Sequence, residues 1–136
     1  MLVREGETFS ETLTMTPEES KAFSKAARDF NPLHLDEAFA ANSRYRRLIV
    51  SGTQMAAHLM ALAATHFTGR GEAVGLDFSI RFHKAIYADE TVTLTWTVTQ
   101  VTPTSAGRSE VVEMKGRVTN GNGELAVAAT GRLMVA

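Results

Sequence analysis

A chain of 136 residues with a formal net charge of −1 has the size of one domain and can bury a sizeable core without staples. It contains no cysteine, so neither a disulfide framework nor a thiolate metal site can be built. Acidic and basic residues are interspersed, which leaves no basic stripe for nucleic acid or an anionic membrane.

The N-terminus, Met1-Leu2-Val3-Arg4-Glu5-Gly6-Glu7, turns charged at once and does not have the pattern of a signal peptide. Residues 7–14 are a strand candidate, with Phe9 and Leu13 opposite a threonine- and serine-rich face. Thr16-Pro17-Glu18-Glu19 then begins a helix predicted to run to about Arg28: Thr16 caps it, Pro17 occupies the first helical position, and Glu19 completes a capping box. Pro32 biases Asn31 away from helical angles, so 29–33 is expected to be a turn or extended kink. Asp36 can cap a short helix through about Ala41, and 43–50 reads as an irregular basic loop.

Ser51 caps the next predicted helix, Gly52 to Phe67, which Gly69-Arg70-Gly71 ends. Met55, Leu59, Leu62 and Ala63 fall on one side, and Ala56, Ala57, Met60, Ala61 and Ala64 make most of the remainder apolar. A helix apolar nearly all round is expected to lie inside a core. Its apolar stretch is interrupted by His58 and is too short to span a bilayer.

Four strands are predicted after it from period-two alternation. Val74, Leu76, Phe78, Ile80 and Phe82 are assigned to one face of the first, and Val92, Leu94, Trp96 and Val98 oppose threonines in the second. Val112, Met114 and Val118 oppose charged residues in the third, and Leu125, Val127, Ala129, Leu133 and Val135 define the fourth. Asn120-Gly121-Asn122-Gly123 joins the last two as a tight hairpin. A sheet with one apolar face must cover it, and the 52–67 helix is the apolar element of the right length. The expectation is therefore an α+β chain, a single domain over 1–136 in which a curved antiparallel sheet wraps one long helix, the hot-dog arrangement. Its open edges invite pairing with a second copy, so a homodimer, or a higher oligomer of dimers, is expected. The protein is expected to be soluble and cytoplasmic, without nucleic-acid or membrane partners.

Asp29 and His34 stand five residues apart across the proline-broken turn, and helical spacing does not decide whether they meet. On local chemistry alone, Asp-x-Asn-Pro is the turn that ends a helix, and His34 is an ordinary surface or capping histidine. His58 and His66 read as core histidines, and no spacing suggests a metal site. Arg44, Arg46 and Arg47 read most simply as a solvated basic loop.

The run Asp29-Phe30-Asn31-Pro32-Leu33-His34, with Asp36, Phe39 and Ala40, resembles the hydratase motif of the (R)-specific enoyl-CoA hydratases and MaoC-like dehydratases. The likeness continues through Leu48-Ile49-Val50-Ser51-Gly52 and through Ile80 to Lys84 and Tyr87 to Thr91. What the resemblance implies is a hydro-lyase that adds water to a trans-2-enoyl thioester, giving the (R)-3-hydroxyacyl thioester, or the reverse. It needs no cofactor, the substrate being carried by coenzyme A or acyl carrier protein. Asp29 would be the base on the water, and His34 would polarise it and shuttle its proton, help of a kind typically worth about 10²–10⁴ in rate. The Gly52 backbone N–H would hold the thioester oxygen, Ser51 is a lesser candidate for substrate contact, and Asn31 is expected to fix the loop. The chain departs from the family's usual glycine with Arg28 before the aspartate, and from its usual histidine with Ser51 before Gly52. Ala88 replaces a usual glycine before Asp89. The alternatives are a thioesterase on the same fold and a non-catalytic subunit that binds acyl thioesters.

Overall fold

The computed structural model describes residues 2–136. Strands β1 (Thr8–Thr14), β2 (Ala73–Phe82), β3 (Thr91–Pro103), β4 (Glu110–Thr119) and β5 (Leu125–Val135) form one antiparallel sheet in the spatial order β1-β3-β4-β5-β2. Helices α1 (Pro17–Ala27), α2 (Pro32–Leu35), α3 (Glu37–Ala41) and α4 (Gly52–Thr68) all fall between β1 and β2 in sequence. The expected α+β arrangement, a sheet packed on one long helix, is the one observed.

Strand β3 shows why the sheet has one wet and one dry face. Val92, Leu94, Trp96 and Val98 are buried, while the threonines that alternate with them are less so, and Thr97, Thr93 and Thr91 pair hydroxyl to hydroxyl with Thr8, Thr12 and Thr14 of β1. Trp96 lies opposite Gly116 of β4, where an added Cβ would stand 2.6 Å from the indole ring. Only glycine leaves room for the ring at that point. The buried indole N–H donates to the Leu59 carbonyl of α4 across 2.8 Å, tying the sheet to the helix it covers.

Helix α4 meets the sheet through Met55, Leu59, Ala63 and Phe67, spaced four apart and fully buried. Its sequence leads to the expectation of complete enclosure, and the structure corrects that. Met60 is 42% exposed and Ala61 is also exposed, because a single sheet covers one side of a cylinder and α1 only part of the other. Strand β2 requires a second correction. Phe78, Ile80 and Phe82 pair with Gly131, Ala129 and Val127, but Val74 pairs with Met134, which alternates with the buried Leu133 and Val135. The register shifts between Gly75 and Asp77, so Leu76 is an extra residue and the alternation inverts there. Val74 and Leu76 are consequently exposed on an edge strand.

Two connections also differ from expectation. Residues 32–35 form a helical turn, with Pro32 at its first position and Asn31 as its extended N-cap. The end of the basic 43–50 segment is buried and paired: Val50 N–H donates to Ile86 O, and Ala88 N–H to Leu48 O. Among the described residues no helix is long and apolar enough to cross a membrane.

Candidate active site

The site begins where α1 ends. Arg28 adopts left-handed angles, φ 63° and ψ 33°; its N–H donates to Lys25 O, and Asp29 N–H donates to Ser24 O across 2.8 Å. This pair of bonds is the Schellman closure of a helix C-terminus, and it fixes the backbone of Asp29 against α1. Left-handed angles favour glycine, and Arg28 holds them with a side chain, which bears on the expected departure at this position. Asp29 Oδ1 then accepts from Asn31 N–H at 3.4 Å, while Asn31 Oδ1 accepts from Leu33 N–H at 3.0 Å. Asn31 is exposed and its side-chain oxygen is engaged in capping α2.

That capped turn carries His34 inward. Its side chain is 8% exposed, and its Nδ1 lies 2.8 Å from Ile49 O. A carbonyl only accepts, so Nδ1 carries a proton, and in the neutral tautomer this leaves Nε2 as the acceptor. Nε2 faces Asp29 Oδ2 at 3.8 Å, and the carboxylate is 26% exposed. The separation is too long for a direct hydrogen bond and short enough for one water to touch both groups. Thr53 Oγ1 approaches Asp29 Oδ2 at 3.5 Å from the first turn of α4.

Helix α4 supplies the facing element. Ser51 is its N-cap, fully buried, with its hydroxyl accepting from Gln54 N–H at 3.0 Å. Gly52 is the first helical residue, and its N–H has no acceptor among the described residues. Unpaired N–H groups at the positive end of a 17-residue helix form a place for a developing negative charge. Gly52 and His34 line the same open cleft of about 430 Å³ with Val50, Met55, Ile86 and Val127 as apolar wall. Arg44, Tyr45, His83 and Lys84 border it on the exposed side. Asp29 stands outside that wall, beside His34 and Thr53.

The structure therefore brings Asp29 and His34 together and sets His34 and Gly52 on one cleft, while Ser51 and Asn31 direct their side-chain oxygens to backbone N–H groups. Sequence reasoning missed Ile49, which acts through its carbonyl and leaves no side-chain signal, and Phe82, whose ring packs on Gly52. His58 contacts Gln54, and His66 is held by Glu7 and stacked on Phe9, both away from the cleft. Among the described residues no three His, Cys, Asp or Glu side chains converge as metal ligands.

The chain is similar to known proteins in sequence and in fold. The profile of the MaoC like domain matches residues 3–122. An (R)-specific enoyl-CoA hydratase of Aeromonas caviae is 37% identical over 75 residues, which cover 55% of this chain and 55% of that protein. One of the same name from Rhodospirillum rubrum is 29% identical over 101 residues, 74% of this chain and 69% of that protein. In the aligned segments the chain thus spans about half the length of the first of these curated relatives and about two-thirds of the second. Among solved structures, the (R)-hydratase from A. caviae involved in PHA biosynthesis superposes with a TM-score of 0.87 at 27% identity, over 98% of both chains. An R-hydratase of Pseudomonas aeruginosa in unliganded form also gives 0.87, at 25% identity, over 98% of this chain and 82% of that one. With its profile match spanning most of the sequence, the chain belongs to the MaoC-like dehydratase family.

Proposed function

We propose that this chain catalyses the reversible hydration of a trans-2-enoyl thioester to the (R)-3-hydroxyacyl thioester. The observation that carries the reading is the 3.8 Å gap between Asp29 Oδ2 and His34 Nε2, with the opposite ring nitrogen tied to Ile49 O. A water in that gap donates one hydrogen to each acceptor, which leaves its lone pairs free to attack C3. The C3–O bond forms as a water O–H bond breaks; Asp29 takes the proton, His34 relays it, and it is returned to C2. Addition at C3 drives charge onto the thioester oxygen, where the Gly52 N–H and the positive end of α4 receive it. The apolar cleft accepts the acyl chain, and Asp29 reaches the reacting water from beside His34 and not from the cleft wall. The R configuration rests on the likeness to the (R)-specific relatives.

We further propose that the working form is a homodimer. Strand β2 is a sheet edge with exposed Val74 and Leu76, and pairing with a second copy covers both its backbone groups and those side chains. Light scattering that gives the mass of a single chain at micromolar concentration refutes this part.

The test of the activity follows the enoyl absorbance of crotonyl thioesters on coenzyme A and on acyl carrier protein, with chiral analysis of the product. A thiol-reactive dye in the same assay reads the rival reaction. Thiol release without loss of the enoyl group identifies a thioesterase, and binding without either reaction identifies a non-catalytic acyl-thioester-binding subunit.

A further inference from the structure

Phe82 is a large aromatic side chain that the fold does not use as core. It is 54% exposed at the end of edge strand β2, yet its ring lies against the first residue of α4. A Cβ placed on Gly52 would stand 2.9 Å from Phe82 Cζ and 3.0 Å from Cε1. The bulge at Leu76 sets the face: after the register shift Phe82 pairs with Val127, another residue of the cleft wall, and turns toward the helix. Beyond it the N–H groups of both His83 and Lys84 donate to Ala126 O, which ends the strand and holds its last residue in place.

We infer that Phe82 is a specificity-determining residue whose ring narrows the slot before the α4 N-terminus and rejects acyl thioesters branched at C2. The inference rests on the hydratase reading, in which C1 sits at Gly52 and C3 at the water held by Asp29 and His34. C2 lies between those points, in the plane of the conjugated system, and any substituent on it is the acyl group nearest to what stands against Gly52. In a linear substrate C2 carries only hydrogen and passes a ring edge. A methyl group there meets the ring. One methyl or methylene against a shaped wall is worth roughly 10–200-fold in kcat/KM.

The experiment compares kcat/KM for crotonyl and 2-methylcrotonyl thioesters, each on coenzyme A and on acyl carrier protein, in wild type, Phe82→Leu and Phe82→Ala. The preference for the linear substrate is expected to fall about tenfold or more in Phe82→Ala and by less in Phe82→Leu. Because the ring is half exposed, neither change hollows the core, and thermal melts check that both variants fold. A preference that stays the same in folded variants overturns the assignment of Phe82 alone. A preference that changes only together with the molar mass in light scattering assigns the ring to a subunit contact and also overturns it. A wild type that hydrates none of the four substrates removes the hydratase reading, and the Phe82 inference with it.

Discussion

The His34 ring donates through Nδ1 to the carbonyl of Ile49 across 2.8 Å, and this one bond decides which nitrogen faces Asp29. The two ring nitrogens therefore have separable jobs, and two amide substitutions test them apart. In Asn the amide nitrogen falls near the place of Nδ1, so His34→Asn is expected to keep the bond to Ile49 and lose the acceptor. His34→Gln reaches the Nε2 position and abandons Ile49, leaving a buried carbonyl unpaired at a cost of about 1–3 kcal/mol. Both variants should lose about 10²–10⁴ in turnover, and only the glutamine variant should lose stability on that scale. Urea unfolding beside steady-state kinetics checks it; equal stability losses in the two would reject the division of roles.

Asp29→Asn is expected to lower turnover by a similar factor with almost no change in stability. The amide oxygen can still accept from Asn31 N–H at Oδ1, so the turn keeps its closure. What goes is the proposed base. A variant that folds normally and retains full turnover would remove Asp29 from the mechanism.

Gly52→Ala puts a methyl group 2.9 Å from the tip of the Phe82 ring. The end of β2 holds Phe82, so its ring yields only at a cost: such overpacking typically costs about 1–3 kcal/mol, of which alanine's better helix propensity offsets about 1 kcal/mol. Activity should fall if the Gly52 N–H receives the thioester oxygen as proposed, because the methyl stands beside that N–H. Adding Phe82→Ala separates two causes of the fall. If the loss came from a displaced ring, the double variant would recover; the oxygen-binding role of Gly52 predicts that kcat stays low.

Arg28 holds left-handed angles that side chains with a Cβ adopt at a penalty of order 1 kcal/mol. Its guanidinium lies 5.5 Å from the Phe30 ring centre, an exposed contact of small worth. Arg28→Gly should therefore raise unfolding stability by roughly 0.5–1 kcal/mol and leave the Asp29 turn in place. Thermal melts at fixed pH measure it. A fall in stability would mean that the contact with Phe30 outweighs the backbone strain.

The elements that could be read from the sequence are those whose side chains repeat: the threonine-backed strand β3, the capped helix α1, and α4 with Ser51 and Gly52 at its head. What escaped lies where the backbone acts or where one residue changes a period. Leu76 inverts the faces of β2, and nothing in the alternation of Val74 to Phe82 announces an inserted residue. Ile49 contributes a carbonyl, which every residue has. The left-handed turn at Arg28 is hidden by a side chain that ordinarily avoids it. Phe82 reads as a core residue in a period-two pattern, and only three-dimensional packing sets it against Gly52.

Far from the cleft, Glu7 joins the N-terminal segment to the end of α4. Its side chain is 11% exposed; Oε2 lies 2.6 Å from His66 Nε2 and 2.5 Å from Arg70, whose other nitrogen meets Oε1 at 2.8 Å. The Arg70 hydrogen bonds, working against the burial that favours the neutral acid, lower the Glu7 carboxyl from 4.5 to about 2, with the His66 hydrogen bond assisting. A folded-state pKa below the unfolded one adds stability that is complete above the unfolded value and is lost as pH falls through the folded one. The contribution should therefore be full at neutral pH and drain away between about pH 4.5 and 2. Its size is at most about 3 kcal/mol, and less because Arg70 is partly in solvent. Glu7→Gln keeps the shape and removes the titration. Urea unfolding across pH should show the variant less stable by about 1–3 kcal/mol at neutral pH. The two curves should converge as pH approaches 2. Parallel curves over that range would show that Glu7 acts by packing alone, without its charge.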